Sequence, residues 1–188
     1  MVLLFPTIKF SFAQDYQFSQ YYSAPLVLGP SFAGMTEASR LSMNYRDQWT
    51  NVPGTFVTYA VSYDHYFPKM KSGFGLLALR DQAGSGNLSL TDVSLQYSYN
   101  LKINRFWYFR PGIAFHYAQR GLVFENLTFG DQLSIVNGNA NPTTIEVPPD
   151  ETTGYIDFSS SMMVFSQKYW VGATVDNILT PAQSLRGI

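Results

Sequence analysis

Apolar and polar residues alternate with a period of two along most of this chain. Leu41, Met43 and Tyr45 alternate with Ser42, Asn44 and Arg46, and Val57, Tyr59, Val61 and Tyr63 with Thr58, Ala60, Ser62 and Asp64. A less regular run sets Gly75, Leu77 and Leu79 against Phe74, Leu76, Ala78 and Arg80. The clearest run sets Val93, Leu95, Tyr97, Tyr99, Leu101 and Ile103 against Asp92, Ser94, Gln96, Ser98, Asn100 and Lys102. Trp107, Phe109, Ile113, Phe115 and Tyr117 then oppose Arg110, Gly112, Ala114, His116, Ala118 and Arg120. Two last runs set Ile156, Phe158, Met162 and Val164 against Asp157, Ser159 and Ser161, and Tyr169, Val171, Ala173 and Val175 against Gly172, Thr174 and Asp176. Successive side chains of a strand point to opposite faces, so each run predicts a strand with one apolar and one polar face. Helical periodicity is nearly absent.

Run length and the character of the polar face choose among β architectures. Soluble strands average about 5–6 residues, whereas a tilted strand needs about 9–11 to cross a bilayer. Most of these runs approach or exceed the longer figure. Their polar rows are Ser, Thr, Gly, Ala and Gln with occasional charges, which suits a crowded interior better than bulk water. Aromatics gather near run ends, as at Trp107-Tyr108-Phe109, in the manner of a girdle at a membrane interface. Asn104-Arg105 and 68–73 are short connections, while 81–88 and 121–152 are long and polar. The expected fold is therefore all-β, an antiparallel transmembrane β-barrel of about seven long strands. Single-chain bacterial barrels close with an even strand number, so seven strands imply an incomplete barrel with open edges unless 16–28 adds an eighth. A soluble β-sandwich is the alternative, and it reverses which rows face outward.

Composition narrows the functional classes. Only 13% of the 188 residues are charged, 16% are aromatic, the net charge is −1 and mean hydropathy is −0.06. Disorder needs the opposite balance, and nucleic-acid binding needs a basic cluster that the sequence lacks. With no Cys, thiol catalysis, disulfides and zinc-thiolate sites are excluded. No apolar run approaches the roughly 20 residues of a spanning helix, which leaves a barrel open.

Residues 1–13 are read as a signal peptide, with small residues at Ser11 and Ala13. Residues 14–39 form an N-terminal segment expected at the periplasmic mouth or as a lumen plug. Strands occupy 40–180 with the long loop 121–152, and 181–188 reads as a truncated C-terminal end.

The segment Gln14 to Tyr22, then Ala24-Pro25-Leu26 and Pro30 to Gly34, resembles the opening of the PorP/SprF family, membrane proteins of the type IX secretion system. Leu41 to Trp49, Phe56 to Tyr59, Ser62 to Asp64, Leu127 to Gln132 with its FGDQ motif, and Val171 to Ser184 continue the likeness in order. Family members run on past this C-terminus, so the likeness is to their N-terminal part. It implies an outer-membrane barrel that binds or anchors secreted cargo such as a gliding adhesin. The implied partners are the cargo's C-terminal sorting domain, the ring proteins of the machine, and outer-membrane lipid. It implies no enzyme and no cofactor. A passive porin-like channel is the alternative within the membrane.

Two regions are candidate partner surfaces. One is the N-terminal segment, through Gln17, Phe18, Gln20, Tyr21 and Phe32. The other is the long loop, through Phe129, Asp131 and Gln132. On the polar faces, Arg46, Arg80, Arg110 and Arg120 are expected to pair with Asp64, Asp92 and Asp157 in a lumen network that includes His116. A catalytic Ser/His pair has no support at local spacing. Gly84-Ser85-Gly86 lacks the lysine and helix of a phosphate loop, and Asp131, Glu146, Asp150 and Glu151 lack calcium-ligand spacing.

Overall fold

The computed structural model describes residues 21–49, 55–84, 88–123, 127 and 152–179. Eight strands form one antiparallel sheet: β1 (Arg40–Gln48), β2 (Phe56–Phe67), β3 (Ser72–Ala83), β4 (Leu88–Tyr99), β5 (Leu101–Lys102), β6 (Tyr108–Gly121), β7 (Thr152–Phe165) and β8 (Trp170–Val175). Seven follow the order β1-β2-β3-β4-β6-β7-β8, and β5 pairs β6 beside this path. The sheet is open and curls into a half-barrel. Every neighbour is the next long strand in sequence.

The alternation sorts the faces as the sequence predicts. Leu41, Met43, Tyr45, Tyr59, Val61, Tyr63, Val93, Ile113, Tyr117, Ile156 and Met162 are exposed on the outer face. Thr58, Ser62, Asp64, Ser94, Gln96, Ser98, Ser159 and Ser161 are buried on the inner one. On β4, Leu95 is 61% exposed while its neighbour Ser94 is 0%. This is a water-soluble protein turned inside out, and it excludes the sandwich, whose apolar rows meet between two sheets.

The third strand departs from the expectation in one residue. Its inner face is Gly75, Leu77 and Leu79, and the two leucines join Leu26, Ala33 and Ala60 in a small apolar core. Arg80 therefore sits on the outer face, opposite Tyr59 and Thr91, and not in the lumen. It lies three residues from the end of β3, where a lipid-facing cation costs about 0–1 kcal/mol, against about 2–4 at the midplane.

The fourth run also breaks where the sequence reads it as continuous. The β4–β6 ladder ends at Ser98↔Gly112 and resumes as β5–β6 at Leu101↔Phe109. Pro111 lies in this gap and has no N–H to donate. The Asn100 N–H turns away to Lys71 O at 2.8 Å.

The described part of the stretch 16–28, residues 21–28, adds no strand to the sheet, and 16–20 lie outside the described residues. Residues 21–34 make 3-10 turns at Tyr21–Ser23 and Pro30–Phe32 around a short helix, α1 (Pro25–Leu28). This segment lies against the inner wall, and its second 3-10 turn contacts β4, β6 and β7.

The outer face sets a stability prediction. Leu95→Arg places a cation mid-strand toward lipid and should lower the urea unfolding free energy in phospholipid vesicles by about 2–4 kcal/mol. Arg80→Leu should leave it unchanged or raise it.

Candidate functional site

The inner wall and the segment laid on it form the candidate site. Turns within the segment satisfy only part of its backbone, and a buried carbonyl without a donor is costly. Wall side chains supply the donors. Gln96 Nε2 donates to Leu26 O at 2.9 Å, Thr174 Oγ1 to Leu28 O at 2.9 Å, and Ser98 Oγ to Ala33 O at 2.7 Å. Arg40 Nη2 donates to Phe32 O at 3.3 Å, and the Ser31 N–H donates to Ser161 Oγ at 2.7 Å. The Ser31 and Ser161 hydroxyls are in direct contact. Residues as far apart as β1 and β8 thus grip one stretch of about ten residues.

Two glycines make the approach possible. A Cβ added at Gly73 would collide with the Ala33 carbonyl, and one at Gly112 with the backbone of Pro30 and Ser31. Leu26 fills the room over Gly75. Beside this seat, the Phe32 ring packs edge-on against Trp170, with centroids 5.6 Å apart.

The charged residues pair differently from expectation. Asp64 is buried and takes Arg40, not Arg46: Nε donates to Oδ1 at 2.8 Å and Nη2 to Oδ2 at 3.1 Å. The Gly34 N–H adds a third donor to Asp64 Oδ2 at 2.8 Å. This junction ties the end of the segment to the β1–β2 hairpin. Arg46 instead donates to Gln48 Oε1 on its own strand. Asp157 accepts the backbone N–H groups of Phe158 and Leu179 at 2.7 and 3.0 Å. Arg120 lies on the inner face near the end of β6, opposite Leu90 and Thr153. Arg110 is buried between the rings of Tyr66 and Phe165, 5.7 and 5.2 Å from their centroids.

Asp92, His116 and Ser159 form a row across β4, β6 and β7. His116 Nδ1 lies 3.0 Å from Asp92 Oδ2, and Nε2 lies 2.9 Å from Ser159 Oγ. The carboxylate only accepts, so the proton between the first pair sits on Nδ1. The order of groups is that of an activated serine, but Ser159 and Asp92 are both buried in the wall. In that setting the row is a polar cross-link that holds three strands in register. Sequence spacing missed both Ser159 and Arg40, because their partners lie on other strands.

Of the candidate partner residues, Gln17, Phe18, Gln20, Phe129, Asp131 and Gln132 lie outside the described residues. Tyr21 opens the first turn of the segment. Phe32 faces the wall and Trp170. No group of three His, Cys, Asp or Glu residues suited to a metal occurs among the described residues.

With no native cysteine to interfere, Ser31→Cys/Ser161→Cys should form a disulfide within the oxidised chain, read as a mobility shift on non-reducing gels. Adding Gly112→Val should abolish that cross-link. A fluorophosphonate probe should leave Ser159 unlabelled. Labelling that Ser159→Ala removes would make the row a nucleophilic centre.

A family model described as type IX secretion system membrane protein PorP/SprF matches residues 10–187. Searches of curated proteins and of solved structures returned no match.

Proposed function

This chain belongs to the PorP/SprF family of type IX secretion system membrane proteins, and on that premise we propose that it is a non-enzymatic outer-membrane barrel protein that anchors secreted cargo at the cell surface. The observation that carries this reading is the inverted wall: large apolar side chains outward, small polar ones inward, on strands as long as 14 residues. Outward apolar rows of that length suit hydrocarbon, and a barrel wall is a rigid frame from which loops and a seated segment present a binding surface.

The N-terminal segment acts as a lumen plug in this reading. Its carbonyls are bonded to Gln96, Ser98 and Thr174, so it stabilises the wall and narrows the passage. That favours an adaptor over a passive channel. In this reading the short connections at 68–71, 103–107 and 166–169 lie at the periplasmic end, because barrel proteins keep their short turns there. The opposite end of the strands then faces outward, where cargo would be held. The cargo's sorting domain and the machine's ring proteins are the proposed partners.

Deletion of the gene should abolish surface display of one cargo, or a few, while other type IX substrates are still exported. The readout is surface proteomics of the mutant. The purified protein in a planar bilayer should conduct little, and Gly112→Val, which unseats the plug, should raise conductance. Uniform loss of all secreted proteins, or a large steady wild-type conductance, would contradict the anchoring role.

A further inference from the structure

One rim of the half-barrel concentrates exposed cations. Lys69 and Lys71 lie at the β2–β3 connection, Lys102 on β5, Arg105 in the turn before β6, and Lys168 in the turn before β8, and all five are exposed. Two acids share that end among the described residues. Glu37 is exposed, while Asp64 is buried and already bonded to Arg40 and Gly34. Toward the opposite end of the strands Asp47 and Asp81 are accompanied by Arg46, Arg80 and Arg120, so among the described residues that end has no matching cluster of acids, and Asp176 follows the last residue of β8 at mid-sheet height. The short-turn rim is therefore cationic among the described residues, although the net charge of the chain is −1.

Just inside the same rim sits Arg110, 1% exposed. Its Nε and Nη1 are buried without a hydrogen-bond partner. The Asn100 Oδ1 is likewise buried and unpartnered. The continuing register sets Asn100 across from Arg110, in the ladder gap beside Pro111. A buried guanidinium almost always has a carboxylate or several carbonyls to satisfy it. Here aromatic rings flank it at 5.2 and 5.7 Å while N–H donors remain unused. A planar fork of donors held between rings is the arrangement that recognises a carboxylate.

We propose that the short-turn end is a docking mouth for an acidic segment of a protein partner, with one of its carboxylates pairing with Arg110 and its flanking acids held by the five rim cations. This deepens the reading above and rests on it, because it takes the chain as a membrane-embedded barrel. Inner-wall placement favours a peptide over a lipid headgroup. Headgroups at the outer surface reach Lys102 or Lys168, whereas Arg110 lies on the inner face between Tyr66 and Phe165.

The test uses the full chain in zwitterionic phosphatidylcholine nanodiscs, titrated with fluorescent hexaglutamate. Saturable binding is expected, weakening steeply with salt. Arg110→Met should weaken it at least tenfold while leaving resistance to urea unchanged or higher, since it removes an unpaired buried charge. Lys69→Glu/Lys71→Glu should weaken binding and flatten its salt dependence. Three results overturn the proposal: no binding by chain that has entered the nanodiscs, undiminished binding by Arg110→Met, or loss of urea resistance in that variant, which would make Arg110 structural. Displacement of the peptide by millimolar inorganic phosphate would reassign the site to a small anion. Binding to phosphatidylglycerol nanodiscs with none to hexaglutamate would reassign it to lipid. Chain that fails to enter nanodiscs at all removes the barrel reading and this proposal together, whereas inserted chain that ignores the peptide removes only this one.

Discussion

Hydrocarbon offers no partner to a peptide N–H or C=O, and the rest of this molecule follows from that constraint. Strands paired with their neighbours satisfy their backbones within the sheet, and the outer edges of β1 and β8 are left unpaired among the described residues. The side chains facing lipid must then be apolar, which pushes the polar alternates inward. Exposed Leu95 beside buried Ser94 is this inversion at the scale of one peptide bond.

A polar interior has a further consequence. It can bind irregular backbone, which an apolar core cannot do without cost. Gln96, Ser98, Ser161 and Thr174 use their side chains on the segment 26–33. Gly73 and Gly112 allow main chain to touch main chain. Around this seat, Arg40–Asp64 and the Asp92–His116–Ser159 row fix neighbouring strands to one another. The result is a wall with a bound strap and a cationic rim.

The faces of the strands were legible in the sequence because their period is a property of each strand alone. On β3 both rows contain leucine, so alternation alone did not assign Arg80; burial of Leu77 and Leu79 against Leu26 did. Ion pairs were not legible, because cross-strand register depends on how each loop closes. Arg40 faces Asp64 only in the register that β1 and β2 adopt. Asp157 went to backbone N–H groups, which no charge pattern announces. Two signals in the sequence point the other way: Pro111 marks the ladder break, and Pro25 opens the short helix α1 within the stretch 16–28 that could have been a strand.

The central claim is that the apolar rows meet lipid and the polar rows an enclosed interior. Single-cysteine spin labels on this cysteine-free chain, placed in turn at residues 93 to 96 and 113 to 115 in phospholipid vesicles, test it most directly. Labels replacing Val93, Leu95, Ile113 and Phe115 should collide freely with oxygen and be shielded from a water-soluble nickel chelate. Labels replacing Ser94, Gln96 and Ala114 should show low oxygen access. Nickel reaching the first set, or oxygen access without alternation, would contradict the account.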